Sequence, residues 1–238
     1  MMDEAKRLED IASNSIYNKG ISRMCAQYCG QIFRRYMVCG SVLELGPAEG
    51  MMTDILEPYY REDYTVVDGS STFVNSIISR YPNIKGITSI FENFVPERKY
   101  TNIILGHVLE HVIDPVEILT LCKKWLDDDG VILAAVPNAN SIHRQAAVEM
   151  GLLKNLDDFS EKDRRHGHRR VFFRDTFVEC FTQAGCHILK QGGYWLKPLS
   201  DMQIEKDWTT EMINAFFILG EKFPDIAGEL YIVAKGNV

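Results

Sequence analysis

The sequence has no long hydrophobic run, no excess of positive charge and no CxxC cysteine pair. No segment approaches about 18 consecutive apolar residues, which argues against a membrane-spanning helix. The first ten residues contain acids and no apolar stretch, which argues against a secretory signal. Because none of the six cysteines forms a CxxC pair, we expect reduced thiols, as in a cytoplasmic protein.

The charge of the chain excludes a second class of function. Its 33 acidic residues outnumber its 26 Lys and Arg residues, which gives a net charge of −7 at pH 7. Nucleic-acid binding draws much of its affinity from neutralised phosphates, so an acidic chain is not expected to bind nucleic acid. The partner we expect is a small molecule, bound by a monomer or a homodimer.

Short apolar strands alternate with helical patterns along most of the chain. Strands are predicted at 41–46, 64–68, 84–89, 100–106, 130–136, 186–196 and 229–234. Helices are predicted at 51–60, ending near Pro58, and at 72–80, 115–126, 141–153, 172–184 and 208–223. Continuously apolar strands in this alternation predict an α/β fold, a doubly wound parallel sheet with helices on both faces.

The same pattern predicts a single domain with four parts. Residues 1–40 form an N-terminal helical cap, 41–137 a ligand-binding core, 138–170 an insertion, and 171–238 the closing helices and strands. The insertion is long and polar for a compact domain. Such segments are usually functional, so we expect a lid.

A glycine-containing turn follows the first predicted strand, in the segment Val42-Leu-Glu-Leu-Gly-Pro-Ala-Glu-Gly50. The dinucleotide fingerprint G-x-G-x-x-G would need glycine at positions 46, 48 and 51. The chain has Gly46, Ala48 and Met51 there, so two of the three glycines are missing. The pattern E-x-G-x-G-x-G matches at three of its four positions and departs only at Ala48. Asp68 ends the next strand, where an acid can accept hydrogen bonds from a ribose.

A second motif, Gly106-His-Val-Leu-Glu-His-Val-Ile-Asp-Pro115, follows the fourth predicted strand. With the turn, it resembles class I S-adenosylmethionine-dependent methyltransferases. The closest resemblance is to the small-molecule branch with ubiquinone-pathway O-methyltransferases and sugar and natural-product methyltransferases. The resemblance implies a Rossmann-like seven-stranded sheet in the order 3-2-1-4-5-7-6, with the last strand antiparallel, and S-adenosylmethionine as cofactor.

The resemblance also implies a set of cofactor contacts. Glu44 would shape the turn, Asp68 would hold the ribose hydroxyls, and the loop after the third strand would contact the adenine. The full set is Glu44, Gly46, Ala48, Gly50, Asp68, Gly69, Ser70, Ser89, Ile90, Phe91, Gly106, His107 and, in the N-terminal segment, Tyr17.

Methyl transfer to a neutral oxygen requires removal of a proton, and histidine suits that task near pH 7. His107 and His111 are the predicted catalytic residues because they follow the fourth strand, where the pocket should open. A structural role for His111 at the start of a helix remains an alternative. Their spacing would also suit a metal pair, but no carboxylate or cysteine clearly converges on them, so no metal is predicted.

The segment Arg164-Arg-His-Gly-His-Arg-Arg170 is strongly basic in an acidic chain. Arginine matches carboxylate and phosphate groups, so the segment predicts an anionic acceptor; a solvated loop is the alternative. The predicted acceptor-binding residues are His166, His168, Arg169, Arg170 and Tyr194. Two other functions remain open: a methyltransferase-like binding module without catalysis, and a less favoured NAD-dependent oxidoreductase.

Overall fold

The structure is a computed structural model that describes residues 4–13, 15 and 17–236. Its centre is a seven-stranded sheet in the order β3-β2-β1-β4-β5-β7-β6, which confirms the predicted order. The strands are β1 (Val42–Leu45), β2 (Tyr64–Asp68), β3 (Lys85–Thr88), β4 (Tyr100–Gly106), β5 (Leu126–Pro137), β6 (His187–Tyr194) and β7 (Glu229–Lys235).

The strand directions also agree with the prediction. β1 pairs in parallel with both β2 and β4, so that Val42 lies opposite Tyr64 on one side and Asn102 on the other. β7 runs antiparallel between β5 and β6. The carboxyl ends of β1, β2, β4 and β5 therefore meet at one edge, where open α/β sheets bind their ligands.

Helices surround this sheet. They are α1 (Glu4–Ser13), α2 (Gly20–Arg34), α3 (Thr53–Tyr60), α4 (Ser71–Arg80), α5 (Pro115–Trp125), α6 (Ile142–Glu149), α7 (Glu161–His166), α8 (Arg174–Gln183), α9 (Asp201–Asp207) and α10 (Thr210–Lys222), with a 3₁₀ turn at Phe91–Asn93. Within the described ranges, no helix is long and apolar enough to cross a bilayer.

Three helices differ from the prediction, and one of them is α7, which was not predicted at all. α3 continues past Pro58, because the proline lies in the last turn of the helix and removes only one backbone hydrogen bond there. α9 was not predicted, although Ser200 and Gln203 form a capping box at its start. That serine-to-glutamine spacing is a readable helix-start signal that the apolar periodicity alone did not reveal.

The core consists of two apolar layers, one on each face of the sheet. Alternate residues of β4 enter opposite layers: Ile103 and Leu105 pack on the face covered by α5 and α8, and Ile104 packs on the face covered by α2 and α3. All six cysteines are unpaired, and Cys29 and Cys122 are fully buried in these layers. The fold therefore rests on apolar packing and needs no disulfide.

Gly220 of α10 lies against the backbone at the end of β6. A Cβ at this position would be 2.2 Å from the Trp195 nitrogen. We expect Gly220→Ala to lower the free energy of unfolding by about 2–3 kcal/mol, although alanine is the better helix former. Asn75→Ala, at an exposed position of α4, is the control and should leave stability equal or slightly higher. Urea unfolding of both variants measures this, and a stabilised Gly220→Ala variant would contradict the close packing.

Candidate active site

A cavity of about 1300 Å³ opens at the carboxyl edge of the sheet. The turn after β1, the end of β2 and the loop after β4 form its floor, and α1, α2 and the segment after β5 form its walls. Single-ligand pockets commonly measure about 300–1,000 Å³. This cavity therefore has room for a nucleoside-sized cofactor and a second small molecule.

The turn between β1 and α3 adopts left-handed backbone angles at Gly46, Ala48 and Gly50, with φ of 62°, 48° and 79°. Gly46 and Ala48 line the cavity, and a Cβ at Gly46 would lie 2.9 Å from a Val108 methyl group. Gly50 faces away from the cavity, toward Ile77 and Arg80. The predicted departure at Ala48 is therefore accommodated, but in a conformation that costs a non-glycine residue about 1–2 kcal/mol.

Asp68 lies at the end of β2 and is 7% exposed. Its carboxylate accepts hydrogen bonds from the backbone N–H groups of Ser70, at 2.9 Å, and Ala48, at 3.3 Å. Burial raises the pKa of Asp68 to about 6, against the opposing effect of these two donors. The side chain thus ties the β1 turn to the β2 end, and it lines the cavity together with Gly69.

Ser70 lies behind Asp68 and outside the cavity lining. Its hydroxyl caps α4 by accepting from the Phe73 N–H, and it donates to Glu9 of α1. Glu9 also accepts from the Ser71 N–H at 2.5 Å. These bonds hold α1 beside the end of β2, a contact that was not predicted from the sequence.

Glu44 is a buried carboxylate of β1 that reaches the cavity floor. Its Oε2 accepts hydrogen bonds from the Thr53 hydroxyl at 2.7 Å and the Tyr64 hydroxyl at 2.6 Å. Burial raises the pKa of Glu44 to about 7 despite these donors. The residue therefore anchors α3 and β2 to the turn, which agrees with its predicted role in shaping the turn.

The loop after β3 contributes Ile90, Phe91 and Glu92 to the cavity. Ser89 does not line it; its N–H donates to the Asp68 carbonyl at 2.9 Å, and its hydroxyl bonds the Ile90 carbonyl. Glu92 was not assigned from the sequence, although it directly follows the predicted positions. It brings a carboxylate to the wall that Ile90 and Phe91 make apolar.

Gly106 and His107 end β4 at the cavity, and His107 has a left-handed φ of 60°. Its Nε2 is 2.8 Å from the Tyr194 hydroxyl, and its Nδ1 is 3.6 Å from Glu110 and 3.7 Å from Glu229. Burial lowers the pKa of His107, but the two carboxylates outweigh it and leave the pKa above its usual value. Strained backbone of this kind is common at functional sites.

Tyr194 does not line the cavity as predicted. It is fully buried behind His107, where its ring stacks near Tyr28. The correction has a simple cause: the alternation of β6 places this side chain in the core layer under the strand. Tyr194 supports the His107 ring and does not face an acceptor.

Glu110, His111 and His168 lie together on the cavity wall. The rings of His111 and His168 meet edge to face with centroids 4.7 Å apart. Burial lowers the pKa of His111 to about 4. Burial raises the pKa of Glu110, but the neighbouring histidines outweigh it, so its pKa lies below the usual value. Glu110 was not predicted, although it stands inside the motif that the sequence reading singled out.

Tyr17 and His166 also line the cavity and contact each other. Their ring centroids are 4.7 Å apart, and the Tyr17 hydroxyl lies 3.4 Å from the His166 carbonyl. The N-terminal cap and the basic segment therefore meet over the cavity.

Arg169 and Arg170 do not line the cavity, and both form hydrogen bonds with other parts of the chain. Arg169 bonds the His111 carbonyl and Glu4. Arg170 donates to the carbonyls of Leu109 and Val112 and, through its second nitrogen, to that of Ile113. The prediction that Arg169 and Arg170 bind an anionic acceptor is therefore wrong for this structure. The two side chains instead donate hydrogen bonds to carbonyls of the loop after β4.

Comparison with known proteins identifies the fold and the family. The family model described as a methyltransferase domain matches residues 6–191. A ubiquinone biosynthesis O-methyltransferase from Dinoroseobacter shibae is 25% identical over 168 residues, which are 67% of this chain. The match spans only 64% of that relative's length.

Solved structures with the same fold cover nearly the whole chain. The N-methyltransferase NodS from Bradyrhizobium japonicum, in complex with S-adenosyl-L-homocysteine, has a TM-score of 0.62 and 14% identity, with 98% of both chains covered. The methyltransferase CcbJ from Streptomyces caelestis has a TM-score of 0.63 and 9% identity, over 97% of this chain and 96% of its own. At these identities the likeness establishes the fold.

The arginine contacts give a testable distinction between a structural and a ligand-binding role. We expect Arg170→Ala to lower the free energy of unfolding by about 2–4 kcal/mol, because it leaves several carbonyls without their charged donor. Arg164→Ala, which removes the same charge from an exposed position of the same segment, should change stability by less than about 0.5 kcal/mol. Urea unfolding measures both variants. Equal stability would contradict the structural role of Arg170 and favour a role in ligand binding.

Proposed function

The chain belongs to the methyltransferase domain family, and on that premise we propose that it transfers the methyl group of S-adenosylmethionine to an oxygen or nitrogen of a small acceptor. The proposal rests mainly on one observation: the Asp68 carboxylate is hydrogen-bonded to the turn after β1, and both line the cavity. A carboxylate that is buried, ionisable and open to the cavity matches the two hydroxyls of a ribose.

The cavity wall fits the rest of the cofactor. The turn at Gly46 and Ala48 offers close backbone approach to the methionine part, and Ile90 and Phe91 offer apolar surface to the adenine. Glu92 supplies an acceptor for the adenine amine. Tyr17 lies across the cavity from this floor, where it would exclude water from the bound sulfonium.

The cofactor supplies an activated methyl group, and the protein positions the acceptor against it. A bond forms between the acceptor atom and the methyl carbon while the carbon–sulfur bond breaks, and its electron pair stays on sulfur to give S-adenosylhomocysteine. The acceptor's proton passes to an imidazole of the wall. His107 and His111 are the two candidates, since both line the cavity beside the loop after β4.

The acceptor compartment lies beyond His107, under the segment 138–170. α6 and α7 of that segment are held together by an ion pair of 2.7 Å between Arg144 and Asp163, and both residues line the cavity. We propose that this pair makes the segment a preformed lid over the acceptor, as its length and position after β5 suggested.

The charge of the wall bears on the acceptor's chemistry. Among the described residues, twelve carboxylates and six Lys or Arg side chains line the cavity. Arg165 of the basic segment is one of the six, whereas Arg169 and Arg170 bind carbonyls of the loop after β4. An acceptor with a hydroxyl or amine as its reacting group fits this wall better than one that depends on a phosphate or carboxylate. An acceptor panel of matched neutral, cationic and anionic compounds would decide this, and a preference for the anionic member would restore the original prediction.

Binding of S-adenosylhomocysteine tests the function directly. We expect calorimetry to show one site per chain and no binding of NAD. Asp68→Asn should weaken the affinity by about 10- to 100-fold, because it removes a charged acceptor of hydrogen bonds. Asp63→Asn, a surface carboxylate that lies before β2, is the control and should bind as the wild type does. Binding of NAD in place of S-adenosylhomocysteine would support the oxidoreductase alternative.

The pKa of Asp68 predicts how this affinity depends on pH. The ionised carboxylate binds the ribose hydroxyls, so protonation competes with the cofactor. With a pKa of about 6 in the free protein, affinity should be constant at higher pH and fall by up to about tenfold per unit as pH drops below 6. Titrations between pH 5 and 8 measure this. The fall should be absent in Asp68→Asn, and an unchanged profile in that variant would assign the effect to another group, such as Glu44.

A further inference from the structure

We propose that Glu110, His111 and His168 bind a divalent transition-metal ion on the cavity wall, with an open coordination position for the acceptor. Each residue offers one ligand atom, and these atoms lie within 4.8 Å of one another. The role of the ion rests on the proposed function, but its binding does not.

Glu110 is the first observation that points to a cation. It is 1% exposed, and neither carboxylate oxygen has a hydrogen-bond partner among the described residues. The His107 Nδ1 is 3.6 Å from Glu110 Oε1, just beyond hydrogen-bond distance. Burying an unpaired carboxylate is costly, and such groups are normally paired or coordinate a metal. A bound divalent ion would take one of these oxygens as a ligand and compensate the buried charge.

His168 is held as metal-binding histidines are. Its buried Nδ1 lies 3.1 Å from an Asp163 carboxylate oxygen, close enough for an ion pair, although no aligned hydrogen bond reaches this nitrogen from the described residues. Asp163 is fixed in turn by Arg144 at 2.7 Å and by the Ser160 hydroxyl at 2.7 Å. A carboxylate behind a ligating histidine sets its tautomer and orientation. This arrangement is a second, independent sign of a ligand site.

The basic segment joins the two loops that carry the three residues. The Arg169 N–H donates to the Glu110 carbonyl at 2.8 Å, and the Arg169 side chain donates to the His111 carbonyl at 2.8 Å. Arg170 binds three further carbonyls of the same loop. The donor atoms of Glu110, His111 and His168 are therefore brought together by backbone anchoring and need no large rearrangement to bind an ion.

The donor set indicates the class of ion. Two imidazoles and one carboxylate suit Zn²⁺, Fe²⁺, Mn²⁺ or Co²⁺, whereas Mg²⁺ and Ca²⁺ prefer oxygen ligands throughout. Three protein ligands leave at least one position open, and the site faces the cavity. An acceptor hydroxyl bound there would be held near the cofactor and made more acidic.

The ion would also divide the roles of the two predicted catalytic histidines. His111 becomes a metal ligand, and His107 remains as the imidazole that takes the acceptor's proton. Two carboxylates, Glu110 and Glu229, lie near its Nδ1. Both residues were predicted from the sequence to remove the acceptor's proton, and the metal site would leave that role to His107 alone.

Co²⁺ titration of the chelator-treated full chain tests the site. We expect one Co²⁺ per chain, with visible absorption bands of a low-symmetry nitrogen and oxygen site that Zn²⁺ abolishes by competition. Glu110→Gln and His168→Gln should each weaken Co²⁺ binding by on the order of 100-fold or more, because each removes one of three ligands. The control is His143→Gln, which removes an imidazole of the same cavity outside the cluster and should bind Co²⁺ as the wild type does.

A second measurement keeps the test independent of variant folding: X-ray absorption of the Zn²⁺-loaded wild type should show two imidazole ligands. Wild-type protein that binds no Co²⁺, or variants that bind it as tightly as the wild type, would overturn the proposal. Binding of S-adenosylhomocysteine is measured on the same samples. Its presence without Co²⁺ binding defeats the metal site alone, and its absence with Co²⁺ binding defeats the proposed function alone.

Discussion

The burial of ionisable carboxylates at one edge of the sheet is the constraint on which the site depends. Glu44, Asp68 and Glu110 are each less than a tenth exposed, and they lie within β1, at the end of β2 and after β4. The apolar layers on both faces must offset the cost of removing these charges from water. Two protein hydroxyls donate to Glu44 and two backbone N–H groups donate to Asp68, whereas Glu110 has no hydrogen-bond donor within the part of the chain that the structure describes. The three carboxylates therefore differ in how many of their oxygens are still available to a ligand, and Glu110 has the most.

The basic segment fixes the positions of neighbouring groups through hydrogen bonds. Arg169 and Arg170 donate to four carbonyls of the loop after β4 and so fix the conformation of that loop. The same contacts place His168 beside Glu110 and His111. A segment that stands out in the sequence by its charge therefore contributes mainly by geometry.

The fold was predictable because its signals are local. The apolar strands, the turn at Gly46 and the acid at Asp68 each follow from neighbouring residues, and parallel pairing then fixes which strand ends meet. Ser70, Ser89 and Gly50 were predicted to contact the cofactor, but they lie beside residues of the cavity and do not line it themselves. A motif match gives the position of a residue in the sequence but not whether that residue faces the cavity.

The roles of Glu9, Glu110, Arg170 and Tyr194 depend on contacts across long sequence separations. Tyr194 meets His107 only because β6 and β4 lie in one sheet, and Arg170 reaches a loop about sixty residues earlier in the chain. Charge alone could not distinguish a residue that binds a ligand from one that binds backbone. The structure makes that distinction by showing which donors are already occupied.

A crystal structure with S-adenosylhomocysteine tests the central claim most directly, since it locates each part of the ligand. The account predicts the ribose hydroxyls within hydrogen-bond distance of Asp68, the adenine against Ile90 and Phe91, and the homocysteine along Gly46 and Ala48. A ligand bound elsewhere, or a ribose that does not contact Asp68, would contradict the assignment of this cavity to the cofactor.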